Sequence, residues 1–430
     1  MKSDVHAILA FWRMTRRALW VATIFALTAA SLTGCEATKR LPALDDQLSV
    51  ATPVGFTATA RIVEGSVESF RVHSVDVINR LRASADGGDI NILALSGGGA
   101  GGAFGAGALV GLSNRGSLPK FHLVTGVSTG ALIAPFAFLG PDWNREMREA
   151  FTGERAQHLL RPSYVRLLLG STLYDGQALA GLVNTYISDE VITRVAEEAR
   201  RGRMLLVQTT DLDKAEPVMW NLGEIAMHGG PAAKRLFCDV LVASASIPTL
   251  FPPVLIRVEK DGVFADELHV DGGTTTSFFI APEMAPVIAD SFAGANRINV
   301  YVVVNGQLES SPITTRARSI DILWRSVSTN FQHGARASIA LAYNIARSHN
   351  MTFRFTAIPG YYPYGGPLEM SRDAMTRLFR FAELCAGQNL LWKSPEDTYN
   401  IATRAGARTD GEAACPSAAA GTLLGRLAVP

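Results

Sequence analysis

The sequence predicts an α/β fold with a mostly parallel central sheet, on two observations inside residues 90–132. A short apolar run, Ile90-Asn91-Ile92-Leu93-Ala94-Leu95, ends in Ser96-Gly97-Gly98-Gly99-Ala100-Gly101-Gly102 and passes into a stretch of small residues. A second run, Phe121-His122-Leu123-Val124-Thr125, ends in Gly126-Val127-Ser128-Thr129-Gly130 and does the same. Strand, turn and helix twice over make a βαβ unit of about the expected length. Between the turns, residues 103–114 set Leu109 and Leu112 at helical spacing among Gly and Ala, which lets a helix pack close to the sheet.

The second turn fits G-x-S-x-G, a strand-to-helix elbow that exposes a serine hydroxyl at the sheet's C-terminal edge. Gly126 and Gly130 flank it because side chains there would meet neighbouring backbone. An ordinary strand-to-helix turn fits the pentapeptide as well, and the first turn tips the balance. Gly97, Gly98 and Gly99 at a helix start present unencumbered N–H groups, aided by the helix dipole. Such groups suit a phosphate, or the oxyanion that forms when a serine attacks an ester. A nucleotide loop is the rival, but G-x-x-x-x-G-K-[ST] is absent. The G-x-G-x-x-G of Gly97, Gly99 and Gly102 also lacks an acidic residue at the end of the next strand.

With these turns the chain resembles the patatin-like phospholipase family, which pairs a G-G-G-x-[KR]-G loop with a G-x-S-x-G elbow. Ala243-Ser244-Ala245-Ser246-Ile247-Pro248, continuing to Phe251-Pro252-Pro253, is similar to the family's A-S-x-A-x-P-x-x-F-P-P segment. Asp271-Gly272-Gly273 is similar to its D-G-[GA] motif. One position departs: Gly101 stands where the family has Lys or Arg, so the loop lacks a fixed positive charge. The resemblance implies a three-layer α/β/α sandwich, with Ser128 as nucleophile and Asp271 as base, without histidine. It implies an oxyanion hole from Gly97, Gly98, Gly99 and Gly101, with Gly102, Gly126, Gly130, Gly272 and Gly273 as motif glycines. The implied substrate is a lipid or phospholipid acyl ester, cleaved through an acyl-enzyme with no metal and no cofactor. Serine and carboxylate lie far apart in proton affinity, so proton transfer to Asp271 must be concerted with attack.

At 430 residues, 48% hydrophobic and 18% charged with net charge +1, the chain has room for one large α/β domain plus appendages. That balance, without a basic patch interleaved with aromatics, argues against nucleic-acid binding. Residues 1–35 read as a lipoprotein signal peptide. Arg13, Arg16 and Arg17 precede an apolar run over 18–30, shorter than the ~20 residues of a spanning helix. Leu32-Thr33-Gly34-Cys35 then resembles a bacterial lipobox, whose cysteine is lipidated and becomes the mature N-terminus. Cys35 would anchor the chain at a membrane surface of the bacterial envelope, and Glu36 after it favours the outer membrane by analogy. An uncleaved signal anchor is the alternative, and Met14 would give a more ordinary signal-peptide start than Met1.

Residues 36–88 read as a tether and a packing helix, with Val72, Val75, Ile78 and Leu81 three apart. Residues 89–305 read as the catalytic core. Within it, 141–203 read as a cap whose apolar cluster (Leu159, Leu160, Val165, Leu167, Leu168, Leu169, Leu173) is assigned to core packing ahead of acyl binding. Residues 204–210 and 217–222 read as strands of a hairpin with Asp211 and Asp213 in its turn, as turn formers rather than metal ligands because nothing else acidic or imidazole clusters with them. Cys238 opens a helix toward Ser246, Pro248 to Pro253 hold an extended segment, and His269-Val270 leads a strand into Asp271. Residues 298–304 form a buried strand ending in a turn at Asn305-Gly306.

Residues 306–403 read as a helical extension, with helices over 320–348 and 375–390 and a short strand over 352–355; 404–430 read as a mobile Ala/Gly-rich tail. Cys385 and Cys415 are candidates for a disulfide in an oxidising compartment, with Cys238 in the core. Two other functions fit the sequence. A Ser-His-Asp hydrolase would draw on His333 or His349, although both fall in or beside a long helical stretch. A non-catalytic lipoprotein binding module has the Gly101 departure as its support. The oligomeric state is not legible in the sequence.

Overall fold

The computed structural model describes residues 40–42, 51–63, 77–153, 172, 174–279, 297–309, 314–393 and 415. The lipobox at Cys35, Val72 and Val75, the apolar cluster from Leu159 to Leu173 and, apart from Cys415, the Ala/Gly-rich tail lie outside the described residues. The strands are β1 (Thr52–Pro53), β2 (Arg61–Val63), β3 (Ile90–Leu95), β4 (Leu123–Val127), β5 (Met204–Asp211), β6 (Glu216–Asn221), β7 (Val254–Lys260), β8 (Val263–Asp271), β9 (Ile298–Gln307) and β10 (Thr352–Ile358). The helices are α1 (Gly102–Asn114), α2 (Thr129–Leu139), α3 (Asn144–Thr152), α4 (Gly176–Tyr186), α5 (Asp189–Arg200), α6 (Leu222–His228), α7 (Gly230–Ser244), α8 (Ser319–Ser348) and α9 (Arg372–Gly387). A further helical run covers residues 77–85. Among the described residues, no helix is long and apolar enough to cross a membrane.

The fold is mixed α/β, with a central, mostly parallel sheet between two helical layers. β3, β4, β5 and β9 are near-continuous apolar runs because both faces of a parallel strand are covered. β5, β4, β3, β9 and β10 run parallel in that order. β6, β8, β7 and β1 pair antiparallel on the β5 side, with β2 beyond β6. One face of the sheet packs on α1, α2, α7 and α9 through a large core with Phe104, Phe136, Phe237 and Phe379 at its centre. The other packs on the 77–85 helix and α8, where Ile78 and Leu81 are buried as their spacing requires.

One feature of the register positions the site. β6 covers Leu206 to Asp211 along one edge of β5. The opposite edge is shared: β4 pairs up to Val127↔Gln208, and β8 takes over at Asp271↔Thr209. β4 and β8 therefore meet head to head on one edge of β5, so Ser128 and Asp271 emerge beside each other.

The small residues of α1 serve a second partner besides the sheet. A Cβ at Gly105 would lie 2.3 Å from Asn305 Oδ1 of β9, as close packing on the sheet requires. One at Gly107 would lie 2.2 Å from the Phe379 carbonyl and one at Gly111 2.5 Å from that of Glu383, so these two glycines admit α9. Several other expectations need correction. α7 begins at Gly230, eight residues before Cys238, because Gly229-Gly230-Pro231 supplies its start. Residues 247–251 turn rather than extend, with Leu250 and Phe251 N–H both donating to the Ile247 carbonyl. Asn305-Gly306 forms no turn, since β9 continues to Gln307, and β10 runs on to Ile358. α9 starts at Arg372 and ends at Gly387. The helices of the cap region join the main core through Leu179, Val183, Val191 and Val195. Cys385 and Cys415 are disulfide-bonded, and Cys238 is a buried free thiol.

Candidate active site

Ser128 sits between β4 and α2 at φ 55°, ψ −125°, a backbone conformation that costs a residue with a Cβ and persists only where its surroundings enforce it. Its N–H donates to Ser244 Oγ at 3.0 Å, and that hydroxyl donates to the Gln208 carbonyl at 2.7 Å. Crowding explains the flanking glycines: a Cβ at Gly126 would lie 2.7 Å from the Gly130 carbonyl, and one at Gly130 2.4 Å from that of Leu95. The elbow hydroxyl points at the end of β8. Ser128 Oγ donates to Asp271 Oδ2 at 2.6 Å, and the Gly273 N–H donates to Oδ1 at 2.7 Å. The Asp271 N–H donates to the Ser246 carbonyl at 2.9 Å. The segment from Ala243 to Pro248 thus braces both residues, Ser244 through the serine and Ser246 through the aspartate. A Cβ at Gly272 would strike the Gln208 carbonyl at 2.4 Å, so the glycine lets β8 turn away at that point.

Asp271 is fully buried. Burial raises its carboxyl to about 7, against the opposing pull of the hydrogen bonds from Ser128 and Gly273. No hydrogen bond joins His333 or His349 to Ser128 or Asp271. The nearer imidazole in sequence, His269, contacts Thr209 Oγ1 through Nδ1 and Glu267 through Nε2.

The glycine loop runs as a tight turn over Gly99–Gly101 into α1. Two of its N–H groups are already committed to protein carbonyls: Gly97 to Ser277 and Gly101 to Gly98. Ala100 N–H donates to Pro367. Among the described residues, no such partner takes the N–H of Gly98 or Gly99. Asn305, expected in a turn, is instead pressed against the loop. Its backbone N–H donates to Ser96 Oγ, its side-chain amide donates to the Ser96 carbonyl, and its own carbonyl lies 1.9 Å from where a Cβ of Gly98 would stand. At Gly101 a Cβ would meet the same carbonyl at 2.0 Å and the Tyr364 hydroxyl at 2.9 Å. The position leaves no room for the family's Lys or Arg. A Cβ at Gly102 would meet Thr129 Oγ1 at 2.1 Å, so this motif glycine lets α1 pass the start of α2.

Tyr364 donates its hydroxyl to the Gly98 carbonyl at 3.1 Å. A trans peptide sets C=O and N–H in opposite directions, so this bond also fixes where the Gly99 N–H points. Sequence reasoning missed Asn305 and Tyr364 because each acts from far along the chain and belongs to no motif. Beside the serine, Gly99 and Thr129, an apolar cavity of about 100 Å³ is lined by Leu132, Phe136, Phe151, Leu179, Leu241 and Met375.

Folding gives Asp211 the neighbours that its sequence surroundings lack. Glu267 and His269 offer ligand atoms within 4.8 Å of Asp211, all three buried, because alternate residues of β8 face the end of β5. Arg61 and Lys214 fill the space. Lys214 Nζ lies 2.9 Å from Glu267 and 3.2 Å from Asp211, and Arg61 forms a buried pair with Glu267. Burial alone would raise the Glu267 carboxyl, but hydrogen bonds from His269 and Arg61 outweigh it and hold it well below the usual carboxylate range. Two cations already balance two carboxylates. Asp211 also serves its expected role in the turn, accepting from the Asp213 N–H.

A buried serine–carboxylate pair thus stands at a strained elbow, beside a glycine turn and an apolar cavity. Residues 93–283, a little under half of the chain, match the family model for patatin-like phospholipase. Among solved structures it is similar to VipD from Legionella pneumophila, at 13% identity and TM-score 0.31 over 70% of this chain and 67% of that one. It is also similar to the human GIVD cytosolic phospholipase A2, at 11% identity and TM-score 0.30 over 68% of this chain and 51% of that one. This chain thus spans about half the length of the human protein. No curated protein matches the sequence.

Proposed function

We propose that this chain is a membrane-anchored serine acyl hydrolase acting on lipid or phospholipid esters through a Ser128–Asp271 dyad. The observation that carries the reading is the 2.6 Å hydrogen bond from Ser128 Oγ to a buried carboxylate that has no histidine partner. Asp271 accepts the serine proton as Oγ attacks the ester carbonyl, and the Gly98 and Gly99 N–H groups receive the oxyanion. The alcohol leaves with that proton, and Asp271 then takes a proton from the water that releases the acyl group from Ser128. The acyl chain lies in the cavity between α2, α3, α4 and α7, whose lining is mostly apolar. The family's phospholipase A or lysophospholipase type and an anchor at Cys35 belong to the same reading.

The test is kcat/KM on a short-chain p-nitrophenyl ester. Ser128→Ala and Asp271→Asn should each lose at least about a thousandfold, and the double variant little more, because the pair acts as a unit. His333→Ala and His349→Ala should keep most activity. A comparable loss in either histidine variant with an intact circular dichroism spectrum would move the protein to the triad class, and full activity in Asp271→Asn would exclude the dyad.

A further inference from the structure

β8 runs well beyond its partner: β5 stops at Asp211, opposite His269, while β8 begins six residues earlier at Val263. The β7–β8 hairpin therefore projects about 20 Å past the end of β5. It does so toward the edge of the sheet from which Ser128 rises, since β4 and β5 are parallel. Its tip is a two-residue turn, Asp261-Gly262, with positive φ at both positions. Just after the turn Val263 is 48% exposed and Phe264 47% exposed. Solvent-facing Phe and Val side by side at a projecting tip need a reason.

The rest of the hairpin's surroundings share this character. Residues 40–42 lie along the free edge of β8, with Leu41 and Asp266 exchanging hydrogen bonds and Arg40 paired to Asp213 at 2.5 Å. Leu212 continues the same edge by donating to the Leu268 carbonyl, and Val54 docks on the outer edge of β7 through Arg257. Leu41, Val54, Leu212, Val263 and Phe264 are five of the ten exposed large apolar residues among the described ones. Leu41 follows Cys35 by six residues, a reach of at most ~21 Å. A lipid on Cys35 would hold this end of the molecule against the bilayer.

We propose that the projecting β7–β8 hairpin is a membrane-contact element, with Val263 and Phe264 entering the bilayer interface and the docked 40–42 segment fixing the active-site edge toward the membrane. This rests on the lipid-hydrolase reading and on anchoring through the N-terminal segment. Two contacts, one covalent or spanning and one interfacial, define an orientation that a single flexible anchor does not.

The test reconstitutes the full chain from detergent into vesicles of phosphatidylethanolamine and phosphatidylglycerol, with a photoreactive benzophenone side chain in place of Phe264 or, as control, Lys120. Lys120 is exposed and lies before β4 at the opposite edge of the sheet. Illumination should give several-fold more lipid adduct from position 264 than from 120. Equal labelling, stronger labelling at 120, or capture of a second protein copy at 264 would overturn the proposal.

A second arm compares Val263→Ser/Phe264→Ser with wild type. Hydrolysis of vesicle phospholipid should fall about tenfold while the soluble ester is cleaved at the wild-type rate. An equal rate on both substrates would overturn the proposal. Absence of any hydrolysis in wild type would strike the enzymatic reading, and the photolabelling ratio would still decide membrane contact.

Discussion

Asp271 carries two opposed consequences of one shift. Its carboxyl titrates near 7 because it is buried, and only the ionised form accepts the serine proton. kcat/KM is therefore expected to rise with pH and level off above about 7, whereas an ordinary carboxylate would give a plateau from mildly acidic pH upward. The sign for stability is the reverse. The folded carboxyl keeps its proton up to about 7, while the unfolded one releases it near its ordinary value of 3.8. This contribution is fully present below the unfolded pKa and lost as pH rises through 7. Asp271→Asn, which cannot ionise, should be inactive yet more stable than wild type at alkaline pH, by up to about 4 kcal/mol. Urea denaturation on either side of neutrality checks this, and a gap that does not widen with pH would refute it. Tyr364 belongs to the same scale. Tyr364→Phe removes the donor to the Gly98 carbonyl and should lower kcat by roughly threefold to tenfold with KM unchanged, since the Gly99 N–H loses its fixed direction only where an oxyanion needs it. An equal rise in KM would instead mean a collapsed loop.

At the scale of elements, the loop and the cavity depend on how closely α1 and α9 approach. Gly107 and Gly111 remove the side chains that would hold the helices apart, and α9 brings Met375 to the cavity. Gly107→Val should destabilise the protein by about 1–3 kcal/mol, as overpacking does, and lower activity toward long acyl esters more than toward short ones. Chemical denaturation and a chain-length series read the two effects, and wild-type values in both would show that α9 has slack at this contact. The strand ends at β4 and β8 are a second product of this scale. Neither strand alone brings Ser128 and Asp271 together, and their meeting on one edge of β5 does.

For the whole molecule, the buried network of Arg61, Lys214, Asp211, Glu267 and His269 ties the N-terminal β2 to the strand that ends in Asp271. Arg61→Ala leaves Lys214 to offset the charge of both Glu267 and Asp211, with His269 still against Glu267. The loss should be about 3–5 kcal/mol, the usual cost of stranding a buried charge. Thermal melts measure it, and a change under about 1 kcal/mol would mean that water replaces the guanidinium, as happens at exposed pairs. The same strand carries the exposed hairpin tip at its other end, so the proposed catalytic carboxylate, Glu267 and His269 of the ion network and the proposed membrane-contact residues share the nine residues of β8.

Much of the site was legible because its chemistry is local. A strained elbow needs glycine on both sides, an oxyanion turn needs residues without Cβ atoms, and the aspartate needs a glycine where its strand turns away, so Gly126, Ser128, Gly130, Asp271 and Gly272 announce themselves within a few positions. The parallel strands were legible for a similar reason, since burial on both faces writes an unbroken apolar run. Asp261-Gly262 carries an equally local hairpin signal, though nothing in that dipeptide says how far the hairpin projects. What tertiary structure alone decided is everything set by residues distant in the chain. Asn305 and Tyr364 occupy the space in which a lysine or arginine at Gly101 would sit, and the N–H groups of Gly97 and Gly101 are committed to carbonyls while, among the described residues, those of Gly98 and Gly99 are not. Asp211 acquires Glu267, His269, Arg61 and Lys214 only once β8 lies against β5. Steric exclusion and hydrogen-bond saturation depend on through-space neighbours, and no spacing within a motif encodes them.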